Sequence, residues 1–170
     1  MKYRFVLPVL LFLLSNTIIA QTTAQQEAPK RWNASWIKVP GETTNDYEVC
    51  LFRKTLDLTA KPAKYLVHVS GDNRYKLFVN SQLVSVGPAR SDQYYWNYET
   101  VDLAPYLIAG KNVVSAIVFN EGALRAVAQM SYRTGFILQG DTPAEEELNT
   151  GSNWKCYRDS AYHPLPVVLV

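Results

Sequence analysis

The residues best suited to chemistry fall within one short stretch, residues 87–100, with the sequence GPARSDQYYWNYET. Four of five consecutive positions are aromatic: Tyr94, Tyr95, Trp96 and Tyr98. A sugar ring has apolar faces that stack on aromatic rings, and its hydroxyls bond to planar polar groups. We therefore predict a carbohydrate-binding site. In it, Trp96 and Tyr95 stack on a sugar, and the bonds to its hydroxyls come from Arg90, Asp92 and Asn97.

A second interpretation of the same residues is structural. Aromatic side chains in a connection can also cover the end of a hydrophobic core or pack on a neighbouring domain. Trp32 and Trp36, in RWNASWI, have the same two interpretations, and packing is favoured for them because they open the fold. The sequence leaves both interpretations of the cluster open.

The sequence contains no recognisable catalytic motif. It has no Gly-x-Ser-x-Gly, His-Glu-x-x-His, P-loop or Cys-x-x-Cys pattern. His68, inside YLVHVS, is interpreted as a structural residue, and the acidic run 145–147 as a solvated edge. Glycoside hydrolysis needs two carboxylates at a defined separation, and nothing singles out such a pair. We therefore predict no catalytic residue, no cofactor and no metal site, although an independent glycosidase remains a third interpretation and the question of enzyme activity stays open.

Composition and the first residues limit the class of protein. A chain of 170 residues with a net charge of +2 fits one well-buried domain and gives no basic patch for nucleic acid. Lys2 and Arg4 precede an apolar run at 5–14, about half of the ~20 residues that a membrane-spanning helix needs. We predict a signal peptide over residues 1–20, with Ala24 as an alternative cleavage site. The mature protein is then periplasmic or extracellular and not membrane-bound; an uncleaved anchor is the alternative.

Export would place both cysteines in an oxidising compartment. Strand alternation puts Cys50 on the same face as Phe52, and Cys156 on the same face as Trp154, so both thiols are expected to point towards a core. They either form a disulfide or remain two buried free thiols.

The remaining sequence has the pattern of a β protein. Residues 21–31 are predicted to be a flexible leader, residues 32–164 a β-sandwich domain, and residues 165–170 a linker or the start of a truncated domain. Short strands separated by Gly, Pro, Asn and Asp are predicted at 48–58, 64–70, 73–80, 83–87, 99–103, 112–120, 125–131, 134–139, 145–149 and 154–158. Asn80-Ser81 is predicted to form a tight hairpin turn, and residues 103–109 a short helical turn. These features predict an all-β, antiparallel, jelly-roll-like sandwich, with a closed barrel as the alternative.

Several segments resemble one known family. LFRKTLDL, VHVSGDNRYKLFVNSQLVSVGPARSD, YETVDLAPYLIAGKNVVSAIVFN and TGFILQGDTPAEEELNTGSNWKCYRD are similar to the N-terminal β-sandwich domain of bacterial α-L-rhamnosidases, glycoside hydrolase family 78. The resemblance covers roughly residues 32–164. The hairpin and YETVDL also resemble the sugar-binding domain of β-galactosidase-like enzymes, but GPARSD and QGDTPAE favour rhamnosidases.

The resemblance implies a domain of a secreted hydrolase whose catalytic carboxylates lie on a separate α/α barrel. No catalytic residue of that family transfers to these positions. What the resemblance implies is an accessory domain that recognises a rhamnose-containing glycan and braces the catalytic domain. A purely structural domain without a ligand site is the alternative.

Overall fold

A computed structural model describes residues 31–41 and 46–164 of the chain. Within these ranges the chain forms eight strands: β1 (Tyr47–Leu58), β2 (Leu66–Asp72), β3 (Arg74–Val79), β4 (Gln82–Gly87), β5 (Glu99–Asp102), β6 (Gly110–Glu121), β7 (Gly135–Gly140) and β8 (Lys155–Arg158). No helix in the described part of the chain has the length and apolar character needed to cross a bilayer. The predicted signal peptide, its cleavage sites, nearly all of the leader and the 165–170 linker lie outside the described residues.

The strands form two antiparallel sheets, which confirms the predicted all-β sandwich. The larger sheet has the order β4-β3-β6-β1-β8, and the smaller sheet has the order β5-β2-β7. The central pair of the larger sheet is β1 and β6, in register from Tyr47 opposite Glu121 to Leu58 opposite Gly110. Because all pairs are antiparallel, the loops gather at two opposite ends of the sandwich.

Apolar side chains from the inner faces of both sheets make one core. The largest fully buried side chains include Tyr75, Phe52, Phe136, Leu56, Leu77 and Leu138. The Phe136 ring stacks on Phe52 with 5.5 Å between centroids and meets the edge of Trp154 at 5.6 Å. The alternation that predicted β1 follows from this packing, since every second residue from Phe52 to Leu56 is buried.

Two predicted strands are wrong. Residues 125–131 lie in a connection between β6 and β7, where Gln129 N–H donates to the carbonyl of Ala126 and Ala128 has a φ of 65°. Residues 145–149 contain a 3₁₀ turn, Glu146–Leu148, that buries Leu148. In neither segment does the backbone form a strand ladder with a neighbour in the structure.

The predicted turns are confirmed. Asn80 and Ser81 have φ values of 49° and 68°, and Val79 pairs with Gln82, which is the two-residue hairpin turn with positive φ at both positions. The Asn80 side chain donates to the carbonyl of Tyr106 and to Oδ1 of the fully buried Asn112. These bonds join the hairpin to the predicted helical turn, which is a 3₁₀ turn at Ala104–Tyr106.

The two cysteines are free thiols, and only one is buried. Cys50 lies opposite Arg158, and Cys156 opposite Phe52, so no bridge joins them. The expectation that Cys156 points into the core is wrong, because β8 is an edge strand and leaves this side chain exposed. Burial, reinforced by the Glu48 carboxylate, raises the pKa of the Cys50 thiol to about 12.

We expect one thiol per chain to react with a thiol reagent in the native protein at pH 8. Cys156 is accessible, whereas Cys50 is both buried and protonated, and only the thiolate is a nucleophile. The second thiol should react only after denaturant is added without reductant. Titration with a chromogenic disulfide reagent measures both, and a Cys156→Ser variant should show no native thiol. Two unreactive sulfurs in denaturant would mean that a disulfide does form.

Candidate functional site

The aromatic cluster lies in the connection between β4 and β5, residues 88–98, which we call the aromatic loop. Glu99 holds the two ends of this loop together: one of its oxygens accepts from Ala89 N–H at 2.9 Å and the other from the Tyr75 hydroxyl at 2.9 Å. Gly87 is needed beside it, because a Cβ at this position would come 2.2 Å from the Glu99 Oε2 atom. The start and end of the loop are therefore fixed by the sandwich.

Asp92 and Asn97, two polar residues predicted to bind sugar, form hydrogen bonds within the loop. Asp92 Oδ1 accepts from the backbone N–H groups of Tyr94 and Tyr95, at 2.7 and 2.9 Å. The Asn97 side-chain amide donates to the carbonyl of Arg90 at 2.9 Å, and the backbone carbonyl of Asn97 accepts from the Ser70 hydroxyl. These bonds shape the aromatic loop and present its rings.

An open pocket of about 650 Å³ lies at the same end of the sandwich. It is formed by three separate segments: the entry segment before β1, the aromatic loop, and the loop that precedes β7. Its lining comprises Trp36, Ile37, Lys38, Asp72, Gln93, Tyr94, Trp96, Tyr132, Arg133, Thr134 and Gly135. Four of these residues are aromatic, which is the character expected of a sugar-binding surface.

Trp36 and Trp96 meet edge to face, with 6.0 Å between ring centroids and an angle of 89°. Trp36 reaches this position because Ile37 forms an isolated β-bridge with Phe136. The absence of a side chain at Gly135 matters, since a Cβ there would come 3.2 Å from Trp36 Cε3. The indole N–H of Trp96 is buried and has no hydrogen-bond partner within the described residues.

Asp72, at the end of β2, organises the opposite wall. It is 3% exposed; Oδ1 accepts from the Ser131 hydroxyl at 2.7 Å, and Oδ2 accepts from the N–H groups of Tyr132 and Arg133 at 2.7 and 2.8 Å. The Gln93 amide donates to the carbonyl of Ser131 and so links this wall to the aromatic loop. One buried carboxylate thus holds the backbone that carries Tyr132 and Arg133.

All five predicted site residues lie on the aromatic loop. Of these, Trp96 lines the pocket, whereas Tyr95 is 80% exposed and is not among the lining residues. Arg90 is also exposed outside the pocket lining. Sequence reasoning missed Asp72 and Tyr132, for which no local signal exists, and it favoured packing for Trp36, whose ring is 48% exposed.

A second aromatic group lies on the outer side of the smaller sheet and is structural. His68 is buried, and its ring nitrogens bond to Thr100 Oγ1 and Asp141 Oδ1, each at 2.9 Å. Trp32 and Tyr98 pack against it edge to face, at 6.3 and 5.4 Å. The structure therefore agrees with the interpretation of His68 as a packed residue, and of Trp32 as part of the packing. Across residues 31–41 and 46–164, no group of three or more His, Cys, Asp or Glu side chains is arranged to hold a metal ion.

No protein-family model and no curated protein sequence matches this chain. Solved structures do match it. A family GH78 rhamnosidase from Bacillus sp. GL1 superposes with a TM-score of 0.68 and 28% identity, over 76% of this chain and 14% of that chain. The α-L-rhamnosidase of Streptomyces avermitilis, complexed with L-rhamnose, gives a TM-score of 0.54 and 21% identity over 82% and 13% of the two chains. The α-L-rhamnosidase of Dictyoglumus thermophilum gives a TM-score of 0.57 and 19% identity, over 78% of this chain and 18% of that chain.

The fold and the pocket define an antiparallel β-sandwich domain with an aromatic site at one end. The chain spans about a seventh of the length of the Bacillus enzyme, so it corresponds in size to one domain of such a protein. That domain is similar to part of the GH78 α-L-rhamnosidases, as the sequence motifs predicted.

Proposed function

We propose that this chain is an accessory carbohydrate-recognition domain of a secreted α-L-rhamnosidase-like glycoside hydrolase. The observation that carries the proposal is the pocket of four aromatic side chains between the entry segment and two loops. Such rings cover the apolar face of a sugar, and rhamnose adds a methyl group where other hexoses carry a hydroxymethyl group. Polar groups around the rings, among them Gln93 and Arg133, suit the hydroxyls.

The wider assignment rests on similarity. The matched structures are rhamnosidases, and this chain matches a small share of each. We propose that the ligand is a rhamnose-containing glycan and that catalysis belongs to a separate α/α-barrel domain. The proposal of export to the periplasm or the medium rests on the basic and apolar pattern of residues 1–20.

One observation favours the structural alternative, in which the domain only braces a catalytic domain. The outer face of the larger sheet carries a cross-strand row that runs through all five strands: Val86, Lys76, Ile117, Leu51 and Tyr157. Four of these five side chains are apolar or aromatic, although the solvent face of an antiparallel sheet is usually polar. The Val86 and Tyr157 side chains are substantially exposed, as is Leu83 nearby.

We expect Tyr94→Ala to weaken binding of rhamnosyl oligosaccharides, whereas Tyr95→Ala leaves it unchanged. The two tyrosines are neighbours on the same loop and are 91% and 80% exposed, but only Tyr94 lines the pocket. The loss of one stacked ring should raise Kd roughly two- to tenfold. Since a single sugar binds with a Kd of about 1 mM or weaker, NMR titration of the purified protein is the suitable measurement.

Three outcomes separate the interpretations. Saturable shifts that weaken only in Tyr94→Ala support the pocket as the site. Weakening only in Tyr95→Ala moves the site out of the pocket to the part of the aromatic loop around Tyr95, one of the two rings predicted from the sequence to stack on sugar. If the wild-type protein gives no shifts with L-rhamnose or its oligosaccharides, the structural alternative is favoured.

A further inference from the structure

We infer that the pocket is selective for an acidic glycan, one in which the rhamnose is linked to a sugar that carries a carboxylate. This inference rests on the proposed function and specifies its ligand class. It is drawn from the charged residues of the lining, which a pocket that only stacks on sugar rings would not need.

The pocket lining contains two cations and one anion: Lys38, Arg133 and Asp72. Lys38 and Arg133 are exposed, and neither forms a salt bridge with a carboxylate of the described residues. Asp72 offsets one of these charges, so the lining has a net charge of +1, but it forms no ion pair with either cation. Its two oxygens already accept three hydrogen bonds from Ser131, Tyr132 and Arg133, all of which hold the wall in place.

The two cations reach the pocket from different segments. Lys38 follows the β-bridge at Ile37, whereas Arg133 precedes β7. The Arg133 guanidinium lies 5.9 Å from the centroid of the Tyr132 ring. A cation held beside a ring keeps its N–H groups available to a ligand, and the planar guanidinium matches a planar carboxylate with two parallel bonds.

These features together favour a uronate-bearing glycan over a neutral one. The aromatic rings cover the apolar faces of the sugars, and the unpaired cations bind the carboxylate. A neutral rhamnoside would make the stacking contacts but leave both positive charges without a partner. The charge is partly exposed to solvent, so the selectivity is expected to be moderate and to decrease with salt.

The test compares two probes, one with a carboxylate and the other with that carboxylate neutralised as a methyl ester. One is L-rhamnose linked to D-glucuronate, and the other is the methyl ester of the same disaccharide. At low salt we expect the acid to bind about three- to tenfold more tightly than the ester, with the difference greatly reduced at 0.5 M NaCl. The Lys38→Gln/Arg133→Gln double variant should remove the preference, so that acid and ester bind to it with equal affinity. A control variant with the same loss of charge elsewhere, Arg53→Gln/Lys64→Gln, should retain the preference.

The outcomes distinguish this inference from the proposed function. Equal binding of acid and ester overturns the charge selectivity but leaves a carbohydrate-binding pocket. A preference that survives in the Lys38→Gln/Arg133→Gln variant also overturns the inference, because the carboxylate is then bound elsewhere. If neither disaccharide binds to the wild-type protein, both the inference and the proposed function are wrong.

Discussion

Phe136→Ala is expected to lower the free energy of unfolding by about 3–5 kcal/mol. The side chain is completely buried at the centre of the sandwich, between Phe52 and Trp154, and within 6.3 Å of the Tyr75 ring centroid. Removing the ring loses its transfer free energy and leaves a cavity that strands of both sheets cannot close. Urea unfolding followed by tryptophan fluorescence measures the loss.

A matched control is Phe119→Ala. Phe119 lies on the outer face of β6, opposite Val49, and is only partly buried. Folding removes less apolar surface from water at Phe119 than at Phe136, so the free energy of unfolding is expected to fall by only about 1 kcal/mol. Equal losses for the two variants would contradict the assignment of Phe136 to the core and of Phe119 to the outer face of the larger sheet.

Asp72→Ala is expected to lower the free energy of unfolding by about 3 kcal/mol and to open the wall of the pocket. The substitution leaves three donors without their acceptor: the Ser131 hydroxyl and the N–H groups of Tyr132 and Arg133. Hydrogen exchange gives a direct local readout. The amides of Tyr132 and Arg133 should lose their protection, even under conditions where the β1–β6 pair remains protected.

Asp57→Ala serves as the comparison, because Asp57 is an exposed aspartate on β1. Its effect on stability should stay within about 0.5 kcal/mol. If Asp72→Ala were as mild, the carboxylate would not organise the wall, and the positions of Tyr132 and Arg133 would need another explanation. Asp72→Ala should also weaken the binding of any glycan in the pocket, because it displaces Tyr132 and Arg133, which both line it.

Much of the fold could be predicted because its determinants are local. The predicted start of β1 is within one residue of the observed start. Burial of one face of a sheet makes every second residue of a strand apolar, and this pattern is visible in the sequence. The Asn80-Ser81 turn follows from the conformations that Asn tolerates. Residues 125–131 show the limit of this reasoning: their alternation resembles a strand, but whether a partner strand lies alongside is not a local property.

The site was harder to predict for the same reason. Trp96 was identified because aromatic side chains in a connection are unusual. Asp92 and Asn97 have the right chemistry beside it, but their oxygen and amide groups are engaged by the loop backbone. Trp36 and Tyr132 come to the pocket only through the bridge of Ile37 with Phe136 and the bonds to Asp72. Such contacts join residues 60 and 99 positions apart, and no spacing along the chain indicates them.

The pairing of β1 with β6 also has a consequence for biosynthesis. About fifty residues separate the end of β1 from the start of β6, and β8 comes later still. At the usual rate of translation, roughly 5–20 residues per second, β1 waits about 3–10 s before its first partner is made. Within the described part of the larger sheet, only the β3–β4 hairpin can form from contiguous chain before then. A nascent chain therefore carries an unpaired β1 strand through about a third of its synthesis, and a ribosome that stalls before β6 leaves that strand without its described partners.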